Sequence, residues 1–455
     1  MVGTMAQKTR EHSIGPNRLS TSDANLIRQL DNKKFGSPRS GWYGAAIDPN
    51  PFHEPNVTTL TDMAHHEHRR KKMTPAYNEF RMMESLRCSV ENHLAKVLDE
   101  HIDRADEGVA EVDLAQISEQ FSIQAFSNMA FGQDLTESDV RAISRTVSDG
   151  QLGFMMMTMF PWIQVCVGGL SAFLKLDQRL AFGRTLATVK KVVASRFAEN
   201  MLAPPMIGTL LKHRHADIVS GLQVSEFDVG QVADNLNVQM IASSAVTAPA
   251  IALLGAKFLL QSKSTRNRIK QEFAREFVEL PKRKEYPYFS ALRDESLRLC
   301  PPALHFREKL TLPEGYPTYR IPGGTHIGIC LGATMRDAEI FGVNPDEYDP
   351  SRWMTSHGRG GTQQGCLEDM LKALELNFGS GTSKCLGQKV ALLELAIFLS
   401  KMTEYEWEPT GSLAEFGAIV RRGVLRVGSL PVKVRRRKVE TTLGSLVQDL
   451  PVSRT

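Results

Sequence analysis

The 455-residue chain is short of the features that assign many proteins at a glance. It has no charge imbalance. The 55 Lys and Arg stand against 51 Asp and Glu, a net +4, too even for a chain whose main task is neutralising nucleic-acid phosphates. It has no paired cysteines. Cys88, Cys166, Cys300, Cys330, Cys366 and Cys385 are scattered without a C-x-x-C pair, which excludes a cysteine-rich zinc module and argues for a reducing compartment. It has no polar bias and no internal repeat. With 42% apolar and 23% charged residues it is neither a disordered chain nor a polytopic membrane protein. The first twenty residues contain no apolar run, so no signal peptide or membrane anchor lies within them.

Two long runs are free of charge. Gln151–Leu174 is broken by Pro161, Gln164 and the Gly168-Gly169 pair, which disfavours a straight spanning helix. It reads as a Met-rich flap that lines an apolar pocket or makes peripheral membrane contact through 153–174. Asn235–Ala256 carries Asn235, Asn237, Gln239, Ser243 and Ser244, the pattern of a helix packed inside a large protein. Glu226, Asp228 and Asp234 precede it, and Pro249 should kink it. Such a broken central helix marks either a neighbouring site or packing alone.

Apolar periodicity predicts helix from Asp62 to about Ala125, with Pro75 as a boundary. It predicts further helices over Val140–Ser148, Gln178–Met201, Phe227–Leu260, Phe289–Leu299 and Leu386–Thr403. Between Lys309 and Gly332 the character changes to turns and short strands, Tyr319–Ile321 and His326–Cys330. From Lys433 the chain reads as a basic, then polar, solvated end. No break in composition divides the rest. The expectation is one large domain over 15–432, mainly α with a small β portion, between a polar segment 1–14 and a tail 433–455.

One cysteine has a neighbourhood of its own. Phe378, Gly381, Cys385 and Gly387 form F-x-x-G-x-x-x-C-x-G ahead of an apolar helix containing Val390, Leu393, Ala396 and Ile397. A glycine-rich loop here delivers a thiol to a helix start, where peptide N–H groups and the helix dipole favour thiolate. Gly379, Gly381 and Gly387 let backbone approach a flat ligand, and Phe378 could pack against one. Taken alone, Cys385 would read as a small buried hydrophobe. The full pattern, however, resembles the haem-binding loop of the cytochrome P-450 superfamily, where this cysteine is the axial thiolate that favours O–O cleavage.

Companion motifs occur in the family's order. Glu295 and Arg298 supply E-x-x-R before Cys300-Pro301-Pro302, with Cys300 where histidine is commoner. Phe341-Gly342 and Pro350-Ser351-Arg352-Trp353 follow. The resemblance implies a buried cluster of Glu295, Arg298 and Arg352 behind the loop. It also implies that His66 and Arg70 reach haem propionates, with Arg307 as a second propionate partner. Alternatives are a solvated basic turn, or a His65/His66/His68 metal site disfavoured by diverging helical positions. The resemblance covers roughly Gly15 to Pro431, and its loop wording is similar to that of fungal pisatin-demethylase-like secondary-metabolite oxidases.

Three departures stand out. Ser383 replaces the Arg or Lys that usually precedes the cysteine by two positions. Ala245 and Val246 align with the central helix's proton-delivering acid and alcohol, and Thr247 falls one position late, about 100° around the helix. For Thr247 to replace the alcohol, the helix must be locally rewound. Relatives also begin with a membrane anchor that this chain lacks.

The expected fold is the cytochrome P-450 fold and the expected cofactor haem b. The resemblance implies a monooxygenase acting on an apolar small molecule in fungal secondary metabolism, with dioxygen and an NADPH–cytochrome P-450 reductase as partners and no nucleic acid. Cations at Arg69, Lys71, Lys72, Lys384 and Lys389 are candidate contacts for an acidic reductase surface. The expected location is the cytoplasmic face of the endoplasmic reticulum or, without an anchor, the cytoplasm or an incomplete chain. Alternatives keep the haem: dehydrogenation, oxidative coupling or rearrangement, or haem binding with impaired turnover.

Overall fold

The computed structural model describes residues 10–32, 36–41, 56–58, 60–78, 80–145, 187–193, 226–275, 277, 280–301, 307–354, 366–410, 419–421 and 424–437. The Met-rich run Gln151–Leu174 lies outside them, as does most of Gln178–Met201.

Strands β1 (Glu11–Gly15) and β2 (Arg18–Thr21) form an antiparallel hairpin. The expected boundary at residue 14 therefore falls inside a strand. Helix α1 (Ala24–Leu30) follows, capped by the Asp23 carboxylate, which accepts the Asn25 and Leu26 N–H groups at 2.8 Å.

The helical run expected from Asp62 to Ala125 is three helices, α2 (Met63–Asn78), α3 (Phe80–Arg104) and α4 (Leu114–Phe131). Pro75 is not the boundary but sits inside α2. A break comes at strand β3 (Ala110–Asp113), where Asp113 both ends the strand and caps α4. Helix α4 stops at Gly132, whose φ of +67° suits glycine.

The central helix runs as α5 (Glu226–Ala242), a five-residue π segment (Ser243–Thr247) and α6 (Ala248–Leu259). Asn235–Leu259 is long and apolar enough to cross a membrane, yet 67% of its most apolar window is buried within the protein. It packs as a core helix between α4 and α8 (Pro287–Leu299), with α7 (Lys263–Phe273) intervening in sequence. The C-terminal third adds β4 (Arg307–Leu310), β5 (His326–Ile329), α9 (Leu367–Glu375), α10 (Gln388–Glu404) and β6 (Tyr405–Pro409). After these come β7 (Ile419–Arg421), β8 (Val424–Arg426) and β9 (Pro431–Arg436). The strand expected at Tyr319–Ile321 is instead a short 3-10 turn, Pro317–Tyr319, with one bridge from Tyr316 to Ile321.

The first sheet has the order β1-β2-β5-β4, with β2 parallel to β5 in the register Leu19 to Ile327. The second, β3-β9-β6, is antiparallel. It corrects the expectation of a solvated end from Lys433, because Val432 and Val434 are fully buried on β9. Their alternation with Lys433 and Arg435 is the pattern of a half-buried strand. The core closes where Phe121 of α4 meets Phe398 of α10 edge to face, with centroids 5.2 Å apart.

Candidate active site

The cysteine loop is fixed at both ends. Its first half turns out of α9 through Leu376–Phe378, and the Phe378 carbonyl accepts the Cys385 N–H at 2.6 Å. A Cβ on Gly379 would stand 2.4 Å from the Ser383 carbonyl oxygen, and one on Gly381 would stand 1.8 Å from that of Asp31. Both glycines also have positive φ, so other residues are excluded on two grounds. Gly387 is different: its φ is ordinary and its nearest neighbours, Cys385 Sγ and Tyr77 Cε1, lie 3.9 Å from a notional Cβ. That glycine keeps space clear beside the sulfur.

The Cys385 side chain is solvent-accessible at the end of the loop. Burial raises its pKa, while the Gly387 N–H bonded to the sulfur and the Arg70 charge pull the other way. The unmetallated thiol is thus protonated; a coordinated metal would ionise it outright.

The front helix brings His66 and Arg70 to one face at i, i+4. His66 is buried and its Nε2 has no partner among the described residues. Burial, then Arg39, Arg70 and Lys309, lower its pKa to about 3, so it is neutral at ordinary pH. His65 and His68 are exposed, and no three His, Cys, Asp or Glu side chains among the described residues are grouped to hold a metal. Burial also lowers the Arg70 pKa, against the opposing influence of Cys385.

Arg307 opens β4 beside the loop, with Nη1 2.9 Å from a notional Gly379 Cβ. Its Nη2 donates to the Asp31 carboxylate, while Nε and Nη1 are buried without partners among the described residues. Phe378 packs on the edge of the core.

Glu295, Arg298 and Arg352 meet as expected from their motifs, all buried. Glu295 Oε1 and Oε2 accept Arg298 Nη2 and Nε, each at 2.8 Å, and Arg352 Nε donates to Oε1 at 3.0 Å. Trp353 Nε1 and the Asp349 N–H also donate to this carboxylate at 2.8 Å. The surplus positive charge is spread over carbonyls, Arg298 reaching those of Met335, Pro345 and Glu347 and Arg352 that of Phe341. Asn377 of the loop then bonds the Leu297 carbonyl at 2.9 Å, tying the cluster to the cysteine segment.

Thr247 ends the π segment and is buried. A π turn takes up one extra residue, the displacement that separates Thr247 from the alignment position of the alcohol. The i→i+5 pattern also lets a carbonyl bypass the missing N–H of Pro249. Local rewinding is therefore present where the sequence required it.

Several residues have no motif to announce them. Asp31, fully buried after α1, touches the loop and Arg307. Tyr77 of α2 donates to Gln239 of the central helix, and its ring lies near the cysteine. Glu394 of α10 is fully buried, bonded to Ser122 Oγ at 2.9 Å, and burial raises its pKa to about 8. Ser122 Oγ also lies 3.3 Å from the Ser243 carbonyl of the π segment. Ser122 Oγ thus donates toward Glu394 Oε2 and links α10, α4 and the π segment.

The comparisons agree with this architecture. The cytochrome P-450 family profile matches residues 20–414, and the chain belongs to that family. It is an oxidoreductase of the monooxygenase type. Among curated relatives, the cytochrome P-450 monooxygenase aba1 of Botryotinia fuckeliana is 23% identical over 402 residues, covering 84% of this chain and 75% of that one. The monooxygenase abl1 of Leptosphaeria maculans is 25% identical, covering 84% and 68%. Sesterfisheric acid synthase of Neosartorya fischeri is 24% identical, covering 84% and 73%. A crystal structure of a cytochrome P-450 superposes with a TM-score of 0.67 at 16% identity, over 94% of this chain and 91% of that one, which shows the shared fold.

Proposed function

We propose that the chain is a haem-thiolate monooxygenase oxidising a lipophilic small molecule in fungal secondary metabolism, with haem b held by Cys385. The observation that carries this reading is the loop itself: two obligatory glycines and the Phe378–Cys385 closure present one accessible sulfur, hydrogen-bonded by Gly387. The residues also suit the group's two carboxylates. His66 Nε2 and Arg307 Nε and Nη1 are unpartnered polar atoms in a buried cationic neighbourhood that includes Arg70 and Lys309.

Bound haem iron would supply dioxygen activation, which no side chain can. The chain's own residues do the rest. Cys385 would ligate the iron, with the Gly387 N–H steadying the sulfur. Arg70, Arg307 and neutral His66 donate to the carboxylates. Thr247, at the widened turn of the central helix, holds a proton on its hydroxyl where the usual acid–alcohol pair is replaced by Ala245 and Val246. Lys384 and Lys389 are exposed beside the cysteine and offer charge to an acidic NADPH-dependent reductase. Relatives named for a small-molecule product, such as sesterfisheric acid synthase, support a small organic substrate. Peripheral association with the endoplasmic reticulum membrane through 153–174 is part of the same proposal.

The reduced protein with carbon monoxide should give the strongly red-shifted Soret band of thiolate ligation, lost in Cys385→Ala. A folded, haem-loaded wild type without that band would overturn the reading. A second reading, dehydrogenation, coupling or rearrangement, is favoured by Ala245 at the acid position. Product lacking label after turnover under labelled dioxygen would select it.

A further inference from the structure

A buried acid with costly surroundings lies against the cysteine loop. Asp31 caps the C-terminal end of α1, where the helix dipole disfavours negative charge, and it is fully buried, where desolvation disfavours it again. No sequence motif requires an acid there. Its Oδ2 accepts Arg307 Nη2, the Ser380 N–H at 3.2 Å and Ser380 Oγ at 3.0 Å. Its Oδ1 faces Lys309 Nζ at 3.4 Å, and its carbonyl accepts the Thr382 N–H at 3.0 Å and lies under Gly381. One residue thus grips the first half of the loop and one edge of a guanidinium whose other edge is unused.

We infer that Asp31 is a positioning residue for the cofactor: its carboxylate orients Arg307 so that Nε and Nη1 face the incoming carboxylate, and latches Ser380–Thr382 so that Cys385 is presented at a fixed height. The inference rests on the haem-thiolate reading above. Among the described residues Arg307 has one charged partner, and it has spare donors. Lys309, buried and bonded to the Ser37 carbonyl at 3.0 Å, is the second cation beside Asp31. Asp31 touches neither sulfur nor reacting atoms, so it acts through Arg307 and the loop.

Asp31→Asn keeps the shape and the Ser380 acceptor but removes the charge. Transfer of haem from Asp31→Asn to excess apomyoglobin should be at least tenfold faster than from wild type, and the iron reduction potential should shift upward because a negative charge near the site is lost. In the apoprotein, amide exchange at Ser380 and Thr382 should accelerate more than at Asn377. The double variant Asp31→Asn/Arg307→Gln should release haem no faster than Arg307→Gln alone. If Asp31→Asn does not fold, Arg307→Gln and Ser380→Ala carry the test, each expected to speed release; Arg307→Gln should also lower the apoprotein melting temperature, since it leaves buried Asp31 one cation short, whereas Ser380→Ala should melt near wild type. Release within twofold of wild type, additive effects in the double variant, or an unmoved potential would overturn the inference. A wild type lacking the thiolate–carbon monoxide band would instead overturn the underlying reading, so the two failures are distinguishable.

Discussion

Two buried carboxylates in this protein are each flanked by two cations, and they are finished to different degrees. Glu295 is saturated by Arg298, Arg352, Trp353 and the Asp349 N–H, and the surplus guanidinium donors end on carbonyls. Around Asp31, by contrast, Arg307 Nε and Nη1 and the nearby His66 Nε2 lack partners among the described residues. Buried donors are normally satisfied, so a closed network reads as structure and an open one as a place waiting for a ligand. Glu394 is a third case, a buried carboxyl bonded to a serine, which burial keeps protonated.

The largest expected effect comes from opening the closed network. Glu295→Gln leaves two buried guanidinium groups short of their counter-charge and should cost about 3–5 kcal/mol, the usual penalty for breaking a buried pair. Thermal unfolding of the apoprotein measures it. An unchanged melting temperature would end the contrast between the two sites.

Glu394→Gln comes next. Glu394 has its pKa raised to about 8, so between about pH 4.5 and about 8 the native state keeps a proton that the unfolded chain has released. That contribution is full below the unfolded pKa and is lost as pH rises through the window, at a limiting slope of about 1.4 kcal/mol per pH unit. The amide variant should flatten this part of the stability–pH curve, as read by urea melts from pH 5 to 9.

Smaller still, and the sharpest test of an open network, is Arg307→Lys. The apoprotein should melt with the wild type while haem loss accelerates about tenfold, equivalent to about 1.4 kcal/mol, because a lysine cannot serve Asp31 and a second carboxylate at once. Stopped-flow haem transfer decides it. Least of all, Tyr77→Phe removes one hydrogen bond to Gln239 and should lower stability by about 0.5–1.5 kcal/mol, seen by calorimetry without loss of the thiolate spectrum.

What could be read in advance follows from distance along the chain. The E-x-x-R turn and the F-x-x-G-x-x-x-C-x-G loop put their chemistry within a dozen residues, so spacing alone displayed them. Asp31 meets Arg307 across 276 residues and Ser380 across 349, and nothing in QLDNKKF marks it. Pro75 illustrates a different failure: a local breaker that the last turns of α2 absorb, with Thr74 Oγ1 bonding the Arg70 carbonyl at 2.8 Å. At β9 the signal was present, since Val432 and Val434 alternate with charges, but the basic residues dominated the reading. The need for rewinding at Thr247 was legible from register, whereas the π form it takes was not.

The parallel pairing of Arg18–Thr21 with His326–Ile329 has a consequence for synthesis. Strand β2 has no parallel partner to join until β5, some 308 residues later, leaves the ribosome. At about 5–20 residues per second that interval is roughly 15–60 s. During it the β1–β2 hairpin has an unpaired edge, and Asp31 has neither the arginine nor the loop it will hold. The segment that shapes the cysteine loop is made long before the residues it holds and can settle only after them.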